Sequence, residues 1–168
     1  ITAVWGDVPH EAICQVAKNF GGVPHRAELV RVLDGVSYYN DSIGTSPTRT
    51  ANGTLQLYDR KIILIAGGYD KQIPYDTLGP IIMDKVKTLI LMGATADKIE
   101  AAVKAAPNYC EQEIVILHAN SMEKAVALAK EQAQKGDIVS LSPASASFDL
   151  YPNFEARGNH FKNIVNAL

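Results

Sequence analysis

Cysteine is scarce: Cys14 and Cys110 are far apart and have no metal-like spacing. Such a pair excludes a disulfide framework, suits a reducing cytosol, and reads as packing. Excess charge of either sign is also missing. Lys plus Arg number 16 and Asp plus Glu 18, so the formal balance is 16 − 18 = −2. That balance gives no basic footprint for nucleic acid or an anionic membrane surface. No apolar run approaches the length of a transmembrane helix, and no signal-peptide pattern opens the chain. There is no G-x-x-x-x-G-K-S/T phosphate loop and no G-x-G-x-x-G fingerprint. Internal repeats and low-complexity tracts are absent too. The four histidines, His10, His25, His118 and His160, are scattered, and none reads as a catalytic base.

What remains is an ordinary composition, 47% hydrophobic over 168 residues, enough for one α/β domain and a short appendage. The chain opens on Ile1 rather than methionine, and residues 1–7 read as the tail of something longer. Residues 9–20 predict a helix capped by Asp7, with Pro9 in its first turn. Gly21-Gly22-Val23-Pro24 then predicts a domain boundary. Residues 27–33 and 36–39 predict an antiparallel hairpin about Asp34-Gly35.

From there strands and helices alternate. Strands are predicted over 60–66, 88–92, 113–118 and 137–141. Helices are predicted over 46–58, 75–86, 95–106, 121–134 and 153–168, with Gly79-Pro80 expected to interrupt the second. Apolar strands alternating with amphipathic helices predict a largely parallel sheet with helices on both faces. Right-handed crossovers then bring the carboxyl ends of these strands to one edge.

That edge collects the candidate chemistry. The turn after the last strand, Ser142-Pro143-Ala144-Ser145-Ala146-Ser147, is small and rich in hydroxyls. It reads as either a ligand-binding turn or a capped connection. Gly67-Gly68-Tyr69-Asp70-Lys71 combines glycines that let amides approach an anion with a cation at Lys71. Its alternative is a tight turn with a solvated lysine. Asn40-Asp41-Ser42-Ile43-Gly44-Thr45-Ser46-Pro47 joins a strand to a helix. Asp41 can accept from a ribose or meet a divalent ion, and Thr45 with the first helical amides can hold an anionic oxygen. Arg26, in the boundary segment, can clamp phosphate with its fork or sit solvated. Arg157 reads as a surface or turn-binding residue. Together Asp41, Lys71 and Ser147 describe a site for a small acidic ligand.

Five stretches occur in order: Gly-Val-Pro-His-Arg (22–26), Asn-Asp-Ser (40–42), Ala-Gly-Gly-Tyr-Asp-Lys (66–71), Leu-Ser-Pro-Ala-Ser-Ala-Ser-Phe-Asp (141–149) and Asn-Phe-Glu-Ala-Arg-Gly (153–158). Together they resemble the Mur ligase family, in its UDP-N-acetylmuramoyl-L-alanine:D-glutamate ligase (MurD) branch. The resemblance covers nearly the whole chain but only the last part of such an enzyme. The family's domain for the uridine nucleotide and its central ATP-binding domain lie outside it.

The resemblance implies that residues 1–22 are the tail of the central domain and 23–168 a Rossmann-like C-terminal domain. It implies a bacterial, cytoplasmic ligase of peptidoglycan synthesis. Using ATP and Mg2+, held mainly by the central domain, such an enzyme joins D-glutamate to UDP-N-acetylmuramoyl-L-alanine. By the same resemblance Lys71, Ser147, Phe148 and Phe154, with Thr45 beside them, bind D-glutamate, while Arg26 and Asp41 meet the nucleotide. No partner nucleic acid or membrane is implied, and the isolated chain is expected to be inactive. The chain departs from the family at Ile43, where a lysine is frequent, and at Ser145, where cysteine is usual. The alternatives are the same domain of another Mur ligase or of a folylpolyglutamate synthase, which the 141–149 motif disfavours, or a stand-alone flavodoxin-like module.

Overall fold

The computed structural model describes residues 6–168. The part of the expected remnant that falls on residues 1–5 lies outside them. Helix α1 spans His10–Asn19, and Pro9 rather than Asp7 occupies its cap. Asp7 instead adopts a positive φ of 52°. No residue of α1 is buried, although its apolar residues recur at helical spacing.

The hairpin follows as expected: β1 (Glu28–Leu33) pairs antiparallel with β2 (Val36–Asn40). Asp34 and Gly35 both have positive φ, 52° and 81°, which matches the turn to the twist of its strands. The remaining elements are α2 (Pro47–Asn52), β3 (Ile62–Ala66), α3 (Leu78–Lys85), β4 (Val86–Leu91), α4 (Ala96–Lys104), β5 (Val115–His118), α5 (Met122–Gln132), β6 (Ile138–Leu141) and α6 (Phe154–Ala167). Side chains of Ser46, Ser121 and Asn153 cap α2, α5 and α6.

Two helix expectations need correction. The single helix over 46–58 is two pieces, α2 and a 3-10 turn at Thr54–Leu57, divided at Gly53. Gly79-Pro80 does not interrupt α3 but lies in its first turn. The amide that proline lacks has no intrahelical partner there in any case.

The sheet order is β1-β2-β6-β3-β4-β5, with every pairing parallel except β1–β2. Each central strand is buried on both faces. In β3, Ile62, Leu64 and Ala66 pack with Leu55 of the 3-10 turn and with Leu78, Ile82, Ile99 and Val103 of α3 and α4. Ile63 and Ile65 face Val126, Ala129, Phe161 and Val165 of α5 and α6. The face changes where the chain reverses direction. The run β2 to β5 crosses over one face, and the return through α5 to β6 crosses the other, as right-handed crossovers require. At β6 the following helix therefore departs to the opposite face from those after β2 and β3. A reversal of this kind is where open α/β sheets form a ligand-binding crevice, here at the carboxyl ends of these three strands.

Candidate functional site

The turn after β6 is the hub of that crevice. Ser142 is fully buried: its amide donates to Ile65 O at 3.2 Å, and its hydroxyl donates to Asp41 Oδ2 at 2.8 Å. Ala144 takes a positive φ of 57°. Ser145 Oγ lies 2.8 Å from both Tyr75 Oη and Thr95 Oγ1. Ser142 and Ser145 are thus spent on the protein, and only Ser147 among the three expected serines keeps its hydroxyl uncommitted among the described residues.

The Gly67–Lys71 turn is laced to this hub. Gly67 N donates to Pro143 O at 2.8 Å, and Tyr69 N to Ala146 O at 2.9 Å, forming an isolated antiparallel bridge. Lys71 follows that bridge by two residues and Ser147 by one, so their turns are held as one unit. Of the two readings of this stretch, the glycines follow the tight turn. Gly68 N is taken by Thr95 Oγ1 at 3.1 Å, so neither glycine amide is free for an anion. Their role is close backbone packing: a Cβ on Gly67 would lie 1.9 Å from Met92 O, and on Gly68 2.2 Å from Ala146 O. Lys71 is exposed. Its neighbour Asp70 pairs with Lys98, whose hydrogen bond, with that of the Gln72 amide, holds the Asp70 carboxyl below its ordinary value. Phe148 is exposed and meets Tyr69 edge-on at 6.1 Å.

Arg157 is the residue that sequence reasoning undervalued. Of its two readings it follows the turn-binding one: 3% exposed, it donates to Ser42 Oγ (3.0 Å), Ser42 O (2.9 Å), Ala146 O (2.9 Å) and, twice, Ser145 O (3.1 Å). It ties the turn after β2 to the turn after β6. Burial lowers its pKa from 12.5 to about 10, so the guanidinium stays charged at neutral pH. Its signal in the sequence was its place one turn into the helix that leaves the hub, where a fork can reach back to carbonyls.

The other expected residues gather where the boundary segment, residues 21–26 and called the hinge from here on, meets the turn after β2. Asp41 has no exposed side-chain surface. Its carboxylate accepts from Ala27 N at 3.2 Å, from Ser142 and from the Thr54 hydroxyl. In this conformation it organises the turn and offers no surface to a ribose. Arg26 is exposed, between His25 and Ala27, which both carry positive φ, 62° and 45°. Phe154 packs edge-on to buried His25 at 5.9 Å, and its carbonyl accepts from Ser42 Oγ at 2.8 Å. It therefore lies on the hinge side of Arg157, away from the Tyr69–Phe148 pair. Thr45 is half-buried in the same turn as Asp41, its amide donating to Ile43 O at 2.9 Å.

Two further features lie apart from these groups. A cleft of about 630 Å³ on the outer side of the Lys71 turn is lined by Gln72, Pro74, Tyr75, Lys98 and alanines of α4. It includes neither Lys71 nor Ser147. Asp97, Glu100 and His118 gather within 4.8 Å at the β5 edge, two strands from β3, but Glu100 is already paired with Lys104 at 2.7 Å and His118 at 2.6 Å. No helix among the described residues is long and apolar enough to cross a membrane.

Residues 25–145 match the family described as Mur ligase, glutamate ligase domain. The chain is 58% identical over 155 residues to the UDP-N-acetylmuramoylalanine--D-glutamate ligase of Clostridium botulinum (strain Okra / Type B1), covering 91% of this chain and 33% of that protein. It is 56% identical over 168 residues to the enzyme of that name in Clostridium acetobutylicum, covering 99% and 36% respectively. The chain thus spans about a third of the length of the curated relatives it matches. Solved structures share the fold at low identity. The murein peptide ligase of Psychrobacter arcticus superposes with a TM-score of 0.54 at 16% identity, over 92% of this chain and 32% of that one. Folylpolyglutamate synthase of Mycobacterium tuberculosis gives 0.54 at 13%, over 83% and 32%. On the family match and the sequence identity together, this chain belongs to the Mur ligase family, as its C-terminal, glutamate ligase domain.

Proposed function

We propose that this chain is the D-glutamate-binding domain of an ATP-dependent ligase that joins D-glutamate to UDP-N-acetylmuramoyl-L-alanine in the bacterial cytoplasm. The observation that carries the reading is the Tyr69–Ala146 bridge, which couples the Lys71 turn to the Ser147 turn at the crevice. A pair of turns held together, with one exposed cation and one largely buried but uncommitted hydroxyl, suits a ligand with two carboxylates. Phe148 supplies an apolar wall beside them. Thr45 and Phe154 belong to the hinge end of the same crevice, joined to it through Arg157. The branch is favoured over other Mur ligases and folylpolyglutamate synthase by identities of 56–58% against 13–16%.

On this reading residues 1–22 belong to the preceding domain, and 23–168 form the domain described. The bare apolar face of α1, with Val16 and Phe20 each 64% exposed, is what a helix packed on a neighbouring domain leaves behind. ATP and Mg2+ supply the phosphoryl group that activates the substrate carboxylate. This chain has no phosphate-binding loop for them, so they rest mainly on the preceding domain. Arg26 reaches the nucleotide from this side, and Asp41 fixes the turn behind it. The isolated chain therefore forms no amide and hydrolyses no ATP.

The test is steady-state kinetics of the full-length enzyme with each substrate varied in turn. A charge-assisted hydrogen bond contributes roughly 1.5–3 kcal/mol and a neutral one about 0.5–1.5. Lys71→Ala should therefore raise KM for D-glutamate on the order of tenfold or more, and Ser147→Ala by less. An unchanged D-glutamate KM in Lys71→Ala, with a raised ATP KM instead, would move Lys71 to the nucleotide side.

A further inference from the structure

Two guanidinium groups of this chain are held in contrasting ways. Arg157 spends its donors inside the protein. Arg49, on α2, spends none among the described residues. Its Nη2 lies 3.7 Å from Asp41 Oδ1, too long for a hydrogen bond, and its side chain is 34% exposed. Room for it is built into the backbone. Helix α2 stops at Gly53, where a Cβ would stand 2.7 Å from Arg49 Nη1. The Asp41 oxygen that faces Arg49 also accepts from the amide of Ala27, the residue after Arg26. One buried carboxylate thus draws together the hinge that carries Arg26 and a second cation. Asp41 is the only acid in that pairing, so the local balance with Arg26 and Arg49 is positive.

We propose that Arg49 is a second nucleotide-binding residue, presenting its fork to the anionic oxygens of the phosphate chain beside Arg26. The inference rests on the nucleotide-side reading of Arg26 given above. Uncommitted donors are what make the residue suited to the task. The buried Asp41 carboxylate draws the guanidinium towards the segment that carries Arg26 without consuming those donors, which leaves the fork available to an anion. An arginine serving only to neutralise Asp41 would sit at hydrogen-bond distance, but that carboxylate is already satisfied by Ala27, Ser142 and Thr54.

The experiment uses the full-length enzyme, with ADP binding measured calorimetrically and the KM for ATP and for D-glutamate measured separately. Arg49→Ala should weaken ADP and raise KM for ATP on the order of tenfold. Arg49→Lys, which keeps the charge but loses the fork, should recover only part of the loss. KM for D-glutamate should stay within about twofold. Unchanged ADP affinity in folded Arg49→Ala overturns the proposal, as does an effect confined to D-glutamate. If Arg49→Ala does not fold, Arg49→Lys decides: full ADP affinity with the lysine overturns the role of the fork. Arg26→Ala separates the two readings. If it also leaves ADP binding untouched, the nucleotide-side assignment itself fails. If it weakens ADP while Arg49→Ala does not, only the present inference fails.

Discussion

Replacing Arg157 by methionine tests whether one buried guanidinium holds the site together. Methionine keeps much of the length and removes every donor. Three carbonyls lose a partner, but not equally. Ala146 O still accepts from Tyr69 N, whereas Ser42 O and Ser145 O have no other donor among the described residues. Each newly orphaned buried carbonyl costs about 1–3 kcal/mol, so the pair costs about 2–6. For a chain of this length, 1 kcal/mol moves Tm by about 2–4 °C. Thermal unfolding followed by circular dichroism should therefore show a fall of at least about 4 °C. Arg31→Met is the control, because Arg31 also donates to two carbonyls, Val165 O and Asn166 O, but at a partly open helix end that water can reach. If Arg157→Met melts within about 2 °C of the parent, or no lower than Arg31→Met, the accounting of orphaned carbonyls is wrong.

Two further outcomes follow from the hinge and the glycine turn. Partial burial pushes the Glu28 carboxyl up, but Lys162, the His25 amide and Asn40 together outweigh it and leave it below the ordinary 4.5. A depressed folded-state value means stability present above the unfolded value and lost as pH falls through the folded one. The stability gap between the parent and Glu28→Gln should accordingly be constant at neutral pH and close below pH 4.5, which denaturant titrations at several pH values check; a gap independent of pH refutes it. Gly67→Ala should fail to fold or melt far lower, because its φ of +108° is strained for alanine and the new Cβ would meet Met92 O at 1.9 Å. An unchanged Tm for that variant would falsify the packing role assigned to the glycine.

The sequence made much of this legible because most of its signals are local. Period-2 burial on both faces of β3 reads directly as a continuous apolar run, and the Asp34-Gly35 turn declares its hairpin. Failures occurred where a neighbour distant in sequence decides. The early end of α2 is the exception, a local signal: Gly53 ends the helix, and the space it leaves is taken by the Arg49 guanidinium from the same turn. Arg157 reads as surface or turn-binding, and only Ser42, more than a hundred residues earlier, decides for the second. The glycines at 67 and 68 read as either an anion site or a tight turn, and the close approach of Met92 and Ala146 decides for the turn. Strand order was not legible either, since periodicity says which residues are strands and not which strands are adjacent.

The position of β6 has a consequence for synthesis on the ribosome. The last strand made inserts between β2 and β3, which pair with each other only through it. Until residues 138–141 emerge, the hairpin and the β3–β4–β5 ladder are separate pieces with exposed edges that invite wrong partners. The closing strand also delivers the Ser142–Ser147 turn and then Arg157. Completion of the sheet and assembly of the binding crevice are therefore one late event, so a nascent chain halted before it carries Lys71 without any partner turn.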